Sequence, residues 1–285
     1  MADVFLPGTI AVITGAASGI GRAAARHCAG AGMKVALVDV DAAKLGDASA
    51  EIEAIGGPAN TIAEMIDVSD AEAMQALAAR VERRWGAPSL LMNNAAGFVT
   101  GGPGGILDPL KGWKRLFEIN LFGVIHGVAA FLPRMLAAGR RARIVSTGSK
   151  QGLTNPPGNP AYNVTKAAVN AYTQNLARDL REREGSKVSA HLLVPGWTTT
   201  GDNVHRQGAW LPEQVVGYMA EALARDDFFI ICPDDETTSE TDRKRVLWNA
   251  LDIVLNRPAL SRWHPYYKDE FAEFMQQDLP PDWGG

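Results

Sequence analysis

Two residues of the motif Tyr162-Asn163-Val164-Thr165-Lys166 could together move a proton. They stand four positions apart at the start of a predicted helix, so their side chains share one face of it. A phenol with a pKa of about 10 is a poor base at neutral pH, but an adjacent ammonium stabilises the phenolate and lowers that pKa. The pair can then act as a general acid and base. By itself this is weak evidence, because Tyr-x-x-x-Lys is also a common pattern on exposed helices.

Two further polar residues could belong to the same site. Ser149 closely follows a predicted strand over residues 143–146, and its hydroxyl could hydrogen-bond a reacting oxygen. Asn120 interrupts an apolar helical stretch over residues 117–123. A buried side-chain amide is unfavourable unless its hydrogen bonds are satisfied. Asn120 is therefore either a bridging residue or the holder of a water molecule.

A glycine-rich turn, Thr14-Gly15-Ala16-Ala17-Ser18-Gly19-Ile20-Gly21, lies between a predicted strand and a predicted helix. Glycines let the backbone approach a pyrophosphate, whose charge is stabilised by the free amides and the dipole of the helix N-terminus. The spacing differs from the GxGxxG fingerprint, and many turns need glycine. Its position nevertheless favours a dinucleotide site, for which we predict the residues Gly15, Ala17, Ser18, Gly19, Ile20 and Gly21.

Asp39 ends the second predicted strand and indicates which dinucleotide is bound. A carboxylate there accepts hydrogen bonds from ribose hydroxyls and repels a 2′-phosphate, which favours NAD over NADP. Asp41 is a competing candidate, and Asp39 could instead solvate a turn. Ser18 stands where a basic residue could have met the phosphate, which supports NAD, whereas Arg22 keeps NADP open.

Polar and small residues also follow the third and fourth predicted strands. Asp67-Val68 comes after the third and Asn93-Asn94-Ala95 after the fourth. Ligands bind at the carboxyl ends of strands in open parallel sheets. We therefore predict that Asp67, Val68, Asn94 and Ala95 contact the cofactor, although each could simply be a turn-forming residue.

Short apolar runs alternate with longer amphipathic ones along the chain, as in a parallel sheet with helical crossovers. We predict an α/β, Rossmann-type, doubly wound sheet of seven parallel strands flanked by helices. The predicted strands cover residues 9–14, 34–39, 60–66, 89–93, 143–146, 187–194 and 228–232, and the helices 19–31, 42–55, 71–85, 113–138, 162–183 and 212–224. One domain over 1–285 is expected, with a core over 8–233 and a helical, aromatic-rich C-terminal extension over 234–285.

The composition narrows the class of protein. The 285 residues are 46% hydrophobic and 21% charged, with a net charge of −4, so nothing suggests binding to nucleic acid or to an anionic membrane. Cys28 and Cys232 have no spacing that suggests a metal or a disulfide framework. We found no basic leader and no stretch near the roughly 18 apolar residues that span a bilayer. A cytoplasmic protein without a metal is expected.

Taken together, these motifs resemble the short-chain dehydrogenase/reductase family, in order and approximate spacing, over residues 8–233. The resemblance implies that Tyr162 is the general acid/base, Lys166 binds the nicotinamide ribose, Ser149 polarises the carbonyl and Asn120 holds a water. It also implies that Pro195, Gly196, Thr198 and Thr200 contact the cofactor. Two features depart from the family: Ala96 replaces a glycine, and the sequence Phe228-Phe229-Ile230-Ile231-Cys232-Pro233 replaces a glycine-rich ending.

The substrate should enter over Ser149 and Tyr162, between a glycine-rich loop at 98–107 and the segment after Thr200. We expect a hydrophobic or aromatic secondary alcohol or ketone, because the candidate cations nearby are few: Lys150, His205 and Arg206. The predicted substrate residues are Phe98, Gln151, Leu153, Trp197 and Trp210.

Two other functions stay open from the sequence: an epimerase or dehydratase that uses the same residues, and a nucleotide-binding sensor without turnover. The resemblance also implies a homodimer or homotetramer joined through the helices at 113–138 and 162–183. The aromatic extension should pack on its own core or on a neighbouring subunit, where it could cover the partner's active site.

Overall fold

Seven parallel strands form the central sheet of the computed structural model, which describes residues 4–98, 109–201 and 203–279. The sheet order is β3-β2-β1-β4-β5-β6-β7, as in a doubly wound fold. The strands are β1 (Ile10–Thr14), β2 (Lys34–Asp39), β3 (Thr61–Met65), β4 (Leu90–Asn93), β5 (Ala142–Thr147), β6 (Val188–Val194) and β7 (Phe229–Ile231). The predicted fold class is confirmed, and every predicted strand is present.

Helices connect successive strands and cover both faces of the sheet. They are α1 (Gly19–Gly30), α2 (Ala42–Gly56), α3 (Ala71–Trp85), α4 (Leu110–Phe117), α5 (Gly123–Ala137), α6 (Gln151–Thr154), α7 (Pro160–Glu182), α8 (Pro212–Arg225), α9 (Ser239–Val254) and α10 (Lys268–Gln276). Helix α7 begins two residues before the predicted start at Tyr162. The reason is local: Asn159 caps it by accepting a bond from the Tyr162 amide, and Pro160 occupies its first turn.

The strands are apolar throughout because both faces of the sheet are buried. Successive side chains point to opposite faces, so Ile13 packs in the cluster with α1 and α8, whereas Val12 packs in the cluster with α3 and α5. Both side chains are fully buried. Two layers of helices around one sheet thus leave the two ends of the strands as the places where a ligand can enter.

Helices α4 and α5 are joined by a π-helical turn over Glu118–Phe122, so that residues 110–137 run as one helix rather than from 113 as predicted. Among the described residues, this helix, Leu110–Ala137, is long and apolar enough to cross a membrane. Our expectation that no stretch would reach that length was wrong. Its apolar side chains, including Val128, Phe131 and Met135, lie in the core against α3 and the sheet, as in a core helix of a folded domain.

The described part of the C-terminal extension folds around one tryptophan. Trp248 of α9 is 2% exposed, and its indole donates to Ser261 Oγ at 2.8 Å. The rings of Phe271 and Phe274 lie 5.1 Å from it, and the Arg257 guanidinium covers it at 3.9 Å. Helix α9 also packs on α6 of the same chain. The extension therefore packs on its own core, which is one of the two arrangements expected from the sequence.

Candidate active site

A cleft of about 460 Å³ lies above the carboxyl ends of the strands, where the sheet order reverses between β1 and β4. It runs from Asp39 at one end to Tyr162 at the other. Most of the predicted cofactor residues line it: Gly15, Ser18, Gly19, Ile20, Asp39, Asp67, Val68, Asn94, Ala95, Lys166, Pro195, Gly196, Thr198 and Thr200. Ser149 and Tyr162 line it as well.

The glycine-rich turn has no room for side chains. A Cβ on Gly15 would lie 2.9 Å from Ala95 Cα, and a Cβ on Gly21 would lie 2.1 Å from the Gly15 carbonyl oxygen. Gly21 and Ala17 stay outside the cleft lining and support the turn from behind. The bare backbone, at the N-terminus of α1, fits the close approach of a pyrophosphate. The residues present thus fit a bound dinucleotide.

Asp39 is tied to this turn and still faces the cleft. Its carboxylate accepts bonds from the amides of Ala17 at 3.0 Å and Asp41 at 3.1 Å. Asp41, the competing candidate, caps α2 by accepting from the Lys44 amide. Arg22, which kept NADP open in the sequence, forms an ion pair with Glu51 at 2.7 Å. Asp39, rather than Asp41, therefore faces the cleft.

Arg115 of α4 is a cleft residue that the sequence reading missed. Its guanidinium forms an ion pair with Asp67 and donates to Ser69 Oγ at 2.9 Å. Although burial opposes ionisation of Asp67, bonds from Ser69 and Arg115 hold its pKa below the usual range. The predicted ligand Asp67 is thus an ionised carboxylate fixed in place. Asp67 and Arg115 are 48 positions apart in the sequence, so no local sequence pattern predicts their contact.

Asn94 joins the ends of three strands beneath the middle of the cleft. Its side-chain amide donates to the carbonyls of Thr14 and Gly15, and its side-chain oxygen accepts from Thr147 Oγ1 at 3.2 Å. The amides of Asn94 and Ala95 donate to Thr14 Oγ1. These bonds fix the floor of the site across β1, β4 and β5.

Tyr162 lies at the far end of the cleft, on the first turn of α7, and is 7% exposed. Burial raises the pKa of its phenol to about 12, and a hydrogen bond with the Ser149 side chain opposes this rise. Ser149 Oγ is held in turn by the Gln151 amide, which donates to it at 3.2 Å. In the chain without a cofactor, the phenol therefore keeps its proton at neutral pH.

Lys166 lies one helical turn further on and is 2% exposed. Its Nζ donates to the Thr147 carbonyl at 2.7 Å and lies 5.7 Å from the centre of the Tyr162 ring. Burial lowers its pKa to about 8. A buried ammonium close to the phenol, at the edge of the cleft, can bias the phenol toward ionisation and can bind hydroxyl groups of a ligand.

Asn120 is fully buried in the π-helical turn and does not line the cleft. Its oxygen accepts from the Gly97 amide at 2.7 Å, while its nitrogen donates to the Gly97 carbonyl at 3.2 Å and to Thr165 Oγ1 at 3.1 Å. Both side-chain hydrogens are used by protein groups. This is the bridging arrangement, one of the two that the sequence left open, and a π turn is often found at functional sites.

Segment 195–200, which follows β6, contributes four residues to the lining of the cleft. Thr198 Oγ1 donates to the Gly196 carbonyl at 3.1 Å, and Thr198 pairs with Trp210 in an isolated parallel bridge. A Cβ on Gly19 would lie 3.0 Å from the Thr200 side chain. Thr200 therefore covers the start of α1. The predicted residues of this segment thus reach from the catalytic end to the glycine-rich turn.

The predicted substrate residues are not brought together. Phe98 lines the cleft, is 61% exposed and stacks on the Tyr162 ring, with centroids 4.6 Å apart and planes at 19°. Gln151 contributes its backbone amide to Ser149. The other three lie elsewhere: Leu153 beside α9, Trp197 on the surface under Arg206, and Trp210 against Tyr218. The reason is that the short helix α6 and the bridge at Thr198 turn these side chains away from the cleft.

Residues 99–107 of the predicted substrate loop lie outside the described residues. Several cleft residues besides Arg115 were missed: Val40, Ile66, Ala96, Ile119, Thr147 and Gly148. Thr147 and Gly148 follow β5 as Asn94 follows β4, so the same rule about strand ends could have found them. Within residues 4–98, 109–201 and 203–279, no group of three or more His, Cys, Asp or Glu could hold a metal.

The sequence of the chain is similar to those of known dehydrogenases. A family model described as short chain dehydrogenase matches residues 9–209. The chain is 32% identical over 266 residues to 1-deoxy-11-beta-hydroxypentalenate dehydrogenase from Streptomyces exfoliatus, a match that covers 89% of this chain and 93% of that protein.

The fold of the chain is also similar to solved structures of short-chain dehydrogenases/reductases. A short-chain dehydrogenase/reductase from Burkholderia phymatum in complex with NAD is 31% identical, with a TM-score of 0.79, covering 89% of this chain and 97% of that one. A metagenomic short-chain oxidoreductase in complex with NADP is 30% identical, with a TM-score of 0.67, covering 80% of this chain and 97% of that one. Both nicotinamide cofactors thus occur among similar structures.

Proposed function

The chain belongs to the short-chain dehydrogenase family of oxidoreductases, and on that premise we propose that it transfers a hydride between NAD and a hydrophobic or aromatic secondary alcohol or its ketone. The observation that carries this proposal is the convergence of Ser149, Tyr162 and Lys166 at one end of the cleft. A dinucleotide along the glycine-rich turn would bring its nicotinamide to that end.

In the oxidation, the carbinol carbon loses a hydride and the hydroxyl loses a proton. The nicotinamide, when bound, supplies the electron acceptor for the hydride. The chain's own residues manage the proton: Ser149 donates a hydrogen bond to the reacting oxygen, and the ionised Tyr162 oxygen takes its proton. The Lys166 ammonium stabilises the phenolate and, with a positively charged ring nearby, offsets the effect of burial on the Tyr162 pKa.

We propose NAD as the preferred cofactor because of Asp39. Its carboxylate faces the cleft at the ribose end, where it would accept bonds from the two hydroxyls and repel a 2′-phosphate. The nearby cation Arg22 is neutralised by Glu51. Similar structures carry either cofactor, so the preference rests on this chain's own residues.

The substrate class is argued from the catalytic end of the cleft. The exposed Phe98 ring lies on the Tyr162 ring, and Ile119 and Ala96 also line this part. Apolar walls beside a proton donor suit an apolar alcohol, since a charged group there would lose hydration without a partner. One relative is named as the dehydrogenase of an 11-beta-hydroxy compound, which agrees with a hydroxyl as the reacting group.

We further propose that the protein is cytoplasmic and forms a homo-oligomer.

The proposal is tested with a panel of hydrophobic secondary alcohols and NAD, followed by nicotinamide absorbance. We expect Tyr162→Phe to lower kcat by about 100-fold or more, the range of general acid–base catalysis. In the wild type, oxidation should accelerate as the pH rises, because it needs the phenolate, and ketone reduction should slow, because it needs the phenol. Tyr172→Phe, at a half-buried tyrosine of the same helix, is the control and should keep full activity. Undiminished turnover by Tyr162→Phe would disprove the mechanism.

A further inference from the structure

Lys150, the residue after Ser149, is held between two buried carboxylates. Its Nζ lies 3.0 Å from Asp234 Oδ2 and 2.7 Å from Asp242 Oδ2. The two carboxylate side chains are 5% and 6% exposed. Asp234 follows β7 and Asp242 lies in the first turn of α9, so the cluster links the C-terminal extension to the segment that carries Ser149. The sequence suggested Lys150 as a cation near the substrate. In the folded chain its ammonium is instead paired with these two carboxylates.

The two buried carboxylates depend on the partly buried Lys150 ammonium, whose side chain is 19% exposed. Removing a charge from water is costly in a protein, and each partner left alone would retain that cost. Burial raises the pKa of Asp242 above its usual range, and the Lys150 ammonium opposes that rise. The three side chains must therefore stay together, which fixes the distances between the segments that carry them.

The Asp234 carboxylate also contacts the segment that follows β6. Asp234 Oδ2 accepts from the Trp197 amide at 3.0 Å. It lies so close to Gly196 that a Cβ there would be 2.5 Å from it and 2.9 Å from Lys150 Nζ. Ser149 and Gly196 both line the catalytic end of the cleft. A single oxygen atom thus connects the two chain segments that follow the neighbouring strands β5 and β6.

Helix α9 is well placed to hold this link. Besides Asp242, its Asn249 side chain donates to the Leu153 carbonyl of α6 at 3.3 Å. The helix is itself anchored by the buried Trp248 and by Asp252, which accepts bonds from Arg257 and Ser261. Through Asp242 and Asn249, which are about two turns apart, helix α9 therefore contacts both Lys150, at the start of α6, and Leu153 within it, and both contacted residues follow Ser149.

We propose that the C-terminal extension is a positioning element of the active site, which acts through Asp242, Lys150 and Asp234 to hold Ser149 and Gly196 at the catalytic end of the cleft. These three are positioning residues, since they act through Ser149 and Gly196. This inference rests on the proposed function only for its effect on turnover. Its structural part, the coupling of the extension to the two cleft segments, stands independently.

The experiment compares Asp242→Asn and Lys150→Met with wild type in the full-length chain, by hydrogen–deuterium exchange and by steady-state kinetics. We expect faster amide exchange in segments 149–154 and 195–198 in both variants. We also expect kcat to fall about 10- to 100-fold, the size of effect that a small misplacement of reacting groups causes. The Kd of AMP should stay within about twofold, since the adenine end of the cleft is untouched. Lys150→Arg, which keeps the charge, should restore most of the activity.

Lys244→Met is the matched control. Lys244 is a more deeply buried ammonium on α9, with a side chain 7% exposed against 19% for Lys150, but it bonds Glu240 and the Met275 carbonyl within the extension. It should leave exchange in the two cleft segments and kcat unchanged. The inference is overturned if the amides of the two cleft segments exchange in Lys150→Met and Asp242→Asn as they do in wild type. It is also overturned if Lys244→Met changes exchange and kcat as much as Lys150→Met does. A wild type that turns over no alcohol would instead disprove the proposed function, and the exchange data would then decide the inference alone.

Discussion

Asp39 shows how one side chain can serve the fold and the ligand together. Its two oxygens accept from the amides of Ala17 and Asp41, which ties the end of β2 to the glycine-rich turn. Each carboxylate oxygen has two lone pairs, so the bonds to the backbone leave capacity for ribose hydroxyls. The negative charge that this arrangement keeps at the cleft is what should exclude a 2′-phosphate.

Replacing that charge without losing the acceptor should therefore change the cofactor preference. In Asp39→Asn, the amide oxygen can still accept from Ala17, so the bond to the glycine-rich turn is kept, while the charge and the bond from the Asp41 amide are lost. We expect the ratio of kcat/KM for NADP to that for NAD to rise about tenfold or more, equivalent to about 1.4 kcal/mol. Steady-state kinetics with each cofactor measures the ratio. Asp41→Asn is the control, because Asp41 caps α2, and a rise of the same size there would show that the charge at Asp39 is not the determinant.

At this scale, the sequence identifies the residues that carry their own local pattern. Tyr162 and Lys166 are one helical turn apart, and the glycine-rich turn is contiguous, so both sets were predicted and lie at the cleft. The contacts of Arg115 with Asp67, and of Lys150 with Asp234 and Asp242, join residues 48 to 92 positions apart. Long-range pairs of this kind leave no local pattern, so they require the folded chain.

The π-helical turn over Glu118–Phe122 is the feature among the elements that most affects the site. It lies at the centre of a long apolar helix and turns Asn120 toward Gly97 and Thr165. Gly97 immediately precedes Phe98, which stacks on Tyr162. The turn thus connects α4, α5 and α7 with the entrance of the cleft. Periodicity predicted the helix, but it could not predict one extra residue in a turn, because the apolar pattern continues on both sides.

Truncating the side chain in this turn should loosen that connection. Asn120→Ala leaves the Gly97 amide and carbonyl without their partner, whereas the Thr165 hydroxyl keeps its bond to the Tyr162 carbonyl. A buried group left unsatisfied costs about 1–3 kcal/mol, and less near water. We expect the free energy of unfolding to fall by about 2–4 kcal/mol in urea titrations, with a clear loss of kcat. Asn175→Ala, at an exposed site on α7, should cost about 0.5 kcal/mol or less. Equal stability of the two variants would contradict a role for Asn120 in joining these elements.

For the molecule as a whole, the order of the strands determines where chemistry can occur. The reversal between β1 and β4 leaves one crevice at the carboxyl ends, and seven strands with alternating helices made that crevice predictable from the sequence. The substrate walls were less predictable. They depend on α6 and on the bridge between Thr198 and Trp210, which are short and irregular parts of the chain. Folding of the extension onto α6 then adds contacts from outside the match to the family model, which ends at residue 209.

Exposed apolar side chains on two helices lead to a specific prediction about how copies of the chain assemble. Phe122 and Val164 are 45% and 42% exposed on the helical segments that the sequence predicted as an interface. Exposed apolar side chains on neighbouring helices are typical of protein contacts. If copies of the chain pair there, Phe122 and Val164 are buried in the assembly, and a charge at either position would be desolvated on association.

The double variant Phe122→Glu/Val164→Glu should therefore be a monomer of 30.5 kDa, whereas the wild type should have two or four times that mass by light scattering coupled to gel filtration. The substitutions lie on the surface of the chain, so its thermal midpoint as a monomer should change little. Ile253→Glu is the control, because Ile253 is 84% exposed on α9, away from both helices. If this control dissociates the wild-type assembly while the double variant does not, the interface lies on the C-terminal extension. In that case the element that we propose to position the active site would also be the one that joins the subunits.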